Sequence, residues 1–390
     1  MTDFPEIDAV LAGQSEGAVV CADCLDVLPT LPDGCVDLIA VDPPYFKVKN
    51  AAWDRQWDTA TGFLAWMAGL RDEWFRLLKP NGSLYCFASP RMAARVECCI
   101  AERFNVLNRI TWRKHDGSYN EGGMWSWANK DSLRRFFEQK EEIIFAEHYG
   151  ADNAAKGEAG YGAKCDELRG FVFEPLRAYI DGEWARAGLR RAEANVACDT
   201  ASMAERHFFA RSQYRLPTHE HYMRLWAYAN QHGRQPAPPW EEYHEAPPER
   251  FGHNGGGEYL RADYENLRAD YENLRRPFAV TADVPYTDVW DFPTVQAYKG
   301  KHPCEKPLAM MGHIVRSSTR ENAVVLDCFA GSGAMLHAAH NLGRRFIGIE
   351  LDETWAARAR ARLAATPRPL FTPEQARKPD KPLFPAAGGA

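Results

Sequence analysis

An acid, two prolines and an aromatic residue follow one another at Asp42-Pro43-Pro44-Tyr45, directly after the apolar run Val36–Val41. The Asp42 carboxylate can accept hydrogen bonds from an amine. Successive prolines fix φ and bring no backbone N–H, so the Pro43 carbonyl is left as a second acceptor. The face of Tyr45 can stack on a flat ring. Together these groups make a site for a planar, amine-bearing partner. A second group lies far along the chain. Asp327-Cys328-Phe329-Ala330-Gly331-Ser332-Gly333 follows the apolar run Val324–Leu326, and Glu350 follows the next one, Phe346–Ile349. Glycines in such a turn let a nucleotide approach the backbone, and an acid about 20 residues on can accept from ribose hydroxyls.

The spacing Gly331-x-Gly333 lacks the third glycine of a dinucleotide fingerprint. It suits a cofactor with a ribose and no pyrophosphate, such as S-adenosylmethionine; a tight turn of purely structural purpose is the alternative. Either group acts only if the chain holds it at an open edge. AVVCA at 18–22 and Val36–Val41 fit strands buried on both faces of a parallel sheet. Phe63, Trp66, Met67, Leu70, Trp74, Leu77 and Leu78 recur at helical spacing, and Lys79-Pro80-Asn81-Gly82 is expected to end that helix before a strand over Ser83–Phe87. A helix over Arg91–Phe104 and strands over Val106–Trp112 and Glu142–Ala146 follow, and the strand–helix alternation predicts an α/β sheet. Ligands of such sheets bind beyond the carboxyl ends of parallel strands, where Asp42 falls.

With these motifs in view, the sequence resembles the amino-group DNA methyltransferases that use S-adenosylmethionine. DPPY matches the family's tetrapeptide (D/N/S)PP(Y/F/W), and FAGSG matches its F-x-G-x-G cofactor motif. HPCEKP at His302–Pro307 is similar to its HPxxKP element, with Cys304 where the family often has Thr. Asp23, placed in the strand before DPPY, matches an acid found there. The catalytic motif comes first and the cofactor motif near the end, with a long insert between, as in the β class. The resemblance covers roughly 20–150 and 285–363.

The resemblance implies an α/β, Rossmann-like methyltransferase sheet with circularly permuted motif order and a helical insert for target recognition. It divides the chain into a catalytic half (1–149), the insert (150–285), a cofactor-binding half (286–364) and a Pro-rich mobile tail (365–390). Asp42, Pro43, Pro44 and Tyr45 are then the catalytic residues that hold the target base. Asp327, Phe329, Gly331 and Gly333 line the methionine and adenosine of the cofactor, and Glu350 binds its ribose. Asp23 lies near the cofactor adenine, and His302 and Lys306 close the pocket from the other side. A solvated Lys306 beside a helix N-terminus and a helix-capping His302 are the plainer alternatives.

The implied reaction is methyl transfer to the exocyclic N6 of an adenine flipped out of DNA. Hydrogen bonds to Asp42 and the Pro43 carbonyl would aim the amine lone pair at the sulfonium methyl. Transfer then needs positioning and electrostatics, with no metal and no covalent enzyme intermediate. Within the family DPPY goes with adenine and SPPY with cytosine, so N4-cytosine methylation is the alternative product. Double-stranded DNA is the implied partner. The class often forms dimers, and a homodimer, a restriction partner and the target sequence are left open.

Residues 174–232 read as several short helices. GLRRAEANVAC followed by SMAERHFFARSQYRLPT looks similar to a helix-turn-helix, with Arg206, His207, Arg211, Ser212, Gln213 and Arg215 for base edges and phosphates. Acids balance the basic residues there, so a plain helical subdomain is the alternative. Trp125, Trp127, Arg134 and Arg135 are further candidates for DNA contact. YENLRAD at Tyr264–Asp270 restarts at Tyr271 and makes one Tyr/Leu stripe along a helix, for packing on the body or for an oligomer contact.

Composition bounds the rest. Hydrophobic residues at 45% and charged residues at 26% over 390 residues rule out a disordered chain. No apolar run approaches the ~18–20 residues of a membrane helix, and the N-terminus lacks a secretion signal, so a cytoplasmic setting is expected. A net charge of −6 excludes a wholly basic coat protein but not an enzyme with one basic face. Cys21 and Cys24 form a lone CxxC without a second ligand pair, so no metal site is expected, and Cys21, Cys86 and Cys328 read as buried thiols. Two rivals remain: a non-catalytic DNA-binding regulator, and methylation of RNA or of a protein amide. The protein-amide rival goes with NPPY, and Asp42 weighs against it.

Overall fold

The computed structural model describes residues 2–48, 50, 52–115, 136, 138–148, 174–210, 214–234, 260, 263–274, 276–278, 280 and 286–366. Their strands are β1 (Gly17–Cys21), β2 (Val36–Val41), β3 (Leu78–Ala88), β4 (Asn105–His115), β5 (Lys140–Glu147), β6 (Val289–Pro293), β7 (Val324–Asp327) and β8 (Arg345–Glu350). They form one sheet in the order β1-β8-β7-β2-β3-β5-β4-β6. The pairs from β1 through β3 are parallel, β5 runs antiparallel to both β3 and β4, and β6 is parallel to β4.

The central strands are apolar because both of their faces are covered. Ile39 and Val41 of β2 pack on one side with Phe63, Met67, Leu70 and Trp74 of helix Ala60–Leu77. Leu38 and Ala40 point the other way, to Met310, Met311 and Ile314 of helix Leu308–Ser318 and to helix Ala334–Asn341. The result is a doubly wound, Rossmann-like α/β sheet. The β7–turn–β8 unit stands last in the chain yet near the sheet's centre, which is the permuted order anticipated from the motifs.

Three local expectations are corrected. Residues 79–82 do not separate helix from strand: β3 begins at Leu78, at the end of helix Ala60–Leu77. Gly82 permits this, since a Cβ there would lie 2.9 Å from the Asp37 carbonyl, and Lys79 Nζ holds Asp37 Oδ1 at 2.8 Å. Cys21 is exposed at the end of β1, whereas Cys86 and Cys328 are buried. The edge strand β6 and the helix Pro5–Leu11 lie outside every anticipated element; both are short, and each carries a proline.

The described residues between β5 and β6 build a second apolar core. Helices Glu174–Arg186, Glu193–Cys198, Met203–Phe208, His219–His232 and Tyr264–Leu274 contribute, with Trp184, Phe208, Phe209 and Tyr222 buried among them. Leu267 is fully buried in this core, and the Tyr264 hydroxyl donates to the Pro217 carbonyl at 2.9 Å. The first copy of the YENLRAD repeat therefore packs on the helices, not on the sheet. The side chains of its second copy lie outside the described residues. Among the described residues no helix is long and apolar enough to cross a membrane.

Helix Ala334–Asn341 meets β8 at Gly348, where a Cβ would sit 2.3 Å from Leu336 Cδ1 and 3.4 Å from the Ala330 Cβ. Leu336 is fully buried and has no room to retreat. Gly348→Val is expected to cost about 1–3 kcal/mol of stability through overpacking. Urea unfolding measures it, and an unchanged midpoint would contradict this close approach.

Candidate active site

Strands β2 and β7 are parallel neighbours, with Leu38 opposite Val325 and Ile39 opposite Leu326. Their carboxyl ends therefore open on one edge. From β7 the chain turns through helix Ala334–Asn341 to β8 on one side; from β2 it passes through helix Ala60–Leu77 to β3 on the other. Such a reversal opens a crevice at the strand ends. Asp42 directly follows β2 and Asp327 ends β7, so the DPPY corner and the Gly-rich turn share this crevice.

The Gly-rich turn needs its glycines. Gly331 has φ 48° and Gly333 φ 73°, in the left-handed region that other residues enter at a cost. Glu350 Oε2 accepts the Gly331 N–H at 2.7 Å, and its Oε1 accepts the Asp352 N–H at 3.0 Å. The acid at the end of β8 thus fastens the turn while keeping lone pairs on the crevice side. Burial raises its pKa. Asp327 is buried, and its Oδ1 accepts the Phe329 N–H at 3.1 Å. Burial, then the negative charges of Asp42 and Glu350, push its pKa up to about 8.

Other cofactor candidates line the same rim. The His302 ring lies against Gly331, where a Cβ would be 3.2 Å from it, and makes an edge contact with Trp355 at 4.4 Å between ring centres. Burial and the nearby Lys306 charge lower its pKa to about 4. Its Nδ1 accepts the Cys304 N–H at 3.2 Å, while the following helix begins at Leu308 with Pro307 at its N-cap, so His302 does not cap that helix. Phe329 stands 5.8 Å from Trp66. Asp23 is not in a strand: β1 ends at Cys21, opposite Glu350, and Asp23 caps helix Cys24–Val27 by accepting the Leu25 N–H at 2.9 Å. It remains on the rim that carries Glu350.

The DPPY corner is held by charge. Pro43 and Pro44 carry the chain irregularly from β2 to Tyr45, whose N–H is bound by the buried Asp54 carboxylate at 2.7 Å. The Tyr45 hydroxyl donates to Asp42 Oδ1 at 2.6 Å and approaches Glu141 Oε2 at 3.1 Å. Lys306 is not solvated. Its side chain is 7% exposed, and its Nζ lies 2.5 Å from Asp42 Oδ2 and 3.2 Å from Glu141 Oε2. Lys306 joins Asp42 more closely than the expected role of closing the cofactor pocket implies. Burial raises the Asp42 pKa against the opposing pull of Lys306. Glu141 is held down to about 2, because Lys306 and Lys114 overcome its burial. Lys306 itself is pushed above the usual lysine range by Asp42 and Glu141.

Glu141 and Lys114, which pair with each other, are absent from the sequence-based site. A faint signal exists: two glutamates open the apolar strand KEEIIF, and a strand must turn one of any adjacent pair to each face.

Of the DNA-contact candidates, Arg206, His207 and Arg215 lie among the described residues, beside the helical core. Arg206 is exposed on helix Met203–Phe208, and the N–H of exposed Arg215 donates to the His207 carbonyl at 2.7 Å. That helix ends at Phe208, short of the helical span read from the sequence, with Phe208 and Phe209 both buried in the helical core. Arg211, Ser212, Gln213, Trp125, Trp127, Arg134 and Arg135 lie outside the described residues.

The sheet and its crevice define a doubly wound α/β fold with two motif-bearing strand ends on one edge. The family model for DNA methylases of the N6/N4 type matches residues 36–360, most of the chain, and the protein belongs to that family. Among curated relatives it is 42% identical over 81 residues to the type II methyltransferase M2.DpnII of Streptococcus pneumoniae, covering 20% of this chain and 30% of that one. It is 39% identical over 76 residues to the type II methyltransferase M2.MboI of Moraxella bovis, covering 19% and 28%. The matched stretches thus span less than a third of these relatives. The M1.HpyAVI–SAM complex aligns with a TM-score of 0.43 at 18% identity, over 89% of this chain and 98% of that one.

The Asp327 acid is a pH probe of the crevice. With its pKa near 8, the free protein holds a proton there that a cationic ligand must displace. Affinity for S-adenosylmethionine, a sulfonium cation, should rise about tenfold per pH unit from pH 6 toward 8 and then level. Asp327→Asn should flatten that slope. Isothermal titration calorimetry across this range checks both, and a slope equally steep in the variant would remove Asp327 from the ligand's surroundings.

Proposed function

We propose that this chain is a site-specific DNA methyltransferase that moves a methyl group from S-adenosylmethionine to the N6 amine of a flipped adenine in double-stranded DNA. The observation that carries the reading is the shared edge of β2 and β7, which sets an acid-and-proline corner beside a glycine turn. The residues present fit the cofactor. Gly331 and Gly333 leave the turn open, the buried Asp327 offers a countercharge, and Glu350 has lone pairs free for ribose hydroxyls. Bound there, S-adenosylmethionine supplies an electrophilic methyl on a sulfonium.

Every other part of the chemistry falls to the chain's own side chains. Asp42 and the Pro43 carbonyl accept from the adenine amine and turn its lone pair toward the methyl. Pro44 keeps the corner rigid. Tyr45 stacks on the extruded base while its hydroxyl stays anchored at Asp42. Asp42 takes the proton that the amine loses. Phe329 and Asp23 flank the cofactor, and His302 packs the turn from outside. Preorganised charge in an enclosed crevice supplies most of the acceleration.

The helical core between β5 and β6 serves recognition in this reading, with Arg206, Arg211, Gln213 and Arg215 contacting phosphates and base edges. A cytoplasmic setting accompanies the proposal, and the oligomeric state is left open.

The test is incubation with unmethylated DNA and labelled cofactor, followed by nucleoside digestion and mass spectrometry. N6-methyladenine is expected. N4-methylcytosine would replace adenine as the target, and no labelled nucleoside would overturn the reading. Asp42→Ala should abolish transfer, by more than about a thousandfold, with cofactor affinity retained. Removing residues 165–235 should erase site preference; an unchanged methylation pattern would clear this segment of any part in recognition.

A further inference from the structure

Asp42 keeps lone pairs for the target amine, but it accepts more strongly once the ammonium that draws on its charge has moved away. Its two oxygens are engaged, Oδ1 by the Tyr45 hydroxyl and Oδ2 by Lys306 Nζ at 2.5 Å. A buried ammonium does not leave its anion unless another anion receives it, since an unpaired buried charge is strongly unfavourable. Glu141 is that second anion. Its Oε2 already lies 3.2 Å from Lys306 Nζ, so a small shift of the ammonium completes the transfer. Lys306 Nζ also lies 5.3 Å from the Tyr45 ring centre and 5.1 Å from that of Phe87, two π faces that keep the cation stabilised as it moves. Lys114, paired with the other oxygen of Glu141, holds the acid in place from β4.

We propose that Glu141 is a positioning residue for methyl transfer: it takes Lys306 from Asp42 when the target amine arrives, and returns it when the product leaves. This rests on the methyltransferase reading above. No bond forms or breaks in the exchange; one ammonium moves between two carboxylates. The charged and titratable groups facing the pair are Tyr45 on its own loop, Cys304 and Lys306 before helix Leu308–Ser318, Lys114 on β4, Cys86 on β3 and Asp327 at the end of β7.

Glu141→Gln tests the role in the full-length protein, with unmethylated phage DNA and tritiated S-adenosylmethionine. Lys306 then has only Asp42 to bind, and kcat should fall about tenfold or more with the cofactor KM unchanged. Glu141 also raises the proton affinity of Asp42, so its neutralisation should move the acid limb of kcat to lower pH. A packing defect would not move that limb. The double variant Glu141→Gln/Lys306→Met has no ammonium to relocate and should be no slower than Lys306→Met alone, a comparison that holds even if the single glutamine variant is unstable. A kcat within about twofold of native, an unmoved acid limb, or a double variant slower than Lys306→Met by the full Glu141→Gln factor would each overturn the role. Transfer by the native chain alongside any of these leaves the methyltransferase reading standing; no transfer by the native chain would sink both.

Discussion

The ion pair between Lys306 and Asp42 ties together residues 264 positions apart, and much of the architecture follows from the need to make it. Neither charge is stable alone in so enclosed a place. Asp42 sits on the turn after β2, in the first part of the chain; Lys306 precedes helix Leu308–Ser318, in the last. Their meeting requires β7 to lie beside β2 and that helix to pack across Leu38 and Ala40. A permuted order of motifs is harmless on this view. What the chemistry needs is two strand ends side by side, and a parallel sheet supplies that whichever strand comes first in the chain.

The position of the insert follows the same economy. The chain leaves the sheet after β5 and returns at β6, far from the β2–β7 crevice. Closing a long loop grows costlier only slowly with length, so a separate helical core is tolerated there. The return is pinned. Arg276 is buried against Glu147 at the end of β5, with its guanidinium over the rings of Phe145 and Phe278 at 5.5 and 5.1 Å. Asn105 Nδ2 donates to the same glutamate at 3.2 Å. These contacts fasten the far edge of the sheet without reaching the crevice.

How far the molecule could be read in advance depended on the range of the forces involved. The runs Val36–Val41 and Val324–Leu326, the helix after Thr59 and the turn at Gly331 and Gly333 are set by local periodicity and by backbone freedom, and all were legible. The two motifs could be joined because the carboxyl ends of parallel strands have one chemical meaning wherever they occur. Glu141 and Lys114 were barely legible: the paired glutamates that open KEEIIF hint that one faces inward, but nothing nearby says what either residue meets. Their placement comes from the antiparallel register that sets Trp112 opposite Glu141, and that register contains a shift between Val106 and Asn108. Gly82 hid a continuous β3 for a similar reason: Pro80-Asn81-Gly82 looks like a stop, and only the approach of the Asp37 carbonyl reveals why a glycine is there. The burial of Lys306 was equally invisible, since a lysine within HPCEKP reads as solvated while the two carboxylates that hold it, Asp42 and Glu141, lie far away in the sequence.

Charge balance makes the crevice one device instead of two adjoining pockets. Two anions, Asp42 and Glu141, face two cations, Lys306 and Lys114, around a neutral Tyr45. Asp327 stands beside them, and burial first, then the charges of Asp42 and Glu350, raise its pKa against the opposing pull of the Phe329 N–H and Lys306. In the proposed reaction a bound cationic cofactor would stabilise the Asp327 anion and displace its proton, which would keep the crevice near neutral. An incoming amine changes nothing in net charge, because Lys306 moves between two anions already present. The net charge of the crevice is thereby kept through each step, and the Asp42 carboxylate that the ammonium leaves retains the Tyr45 hydroxyl as a donor. A sheet edge that brings four strand ends together has room for that compensation, and an isolated loop does not.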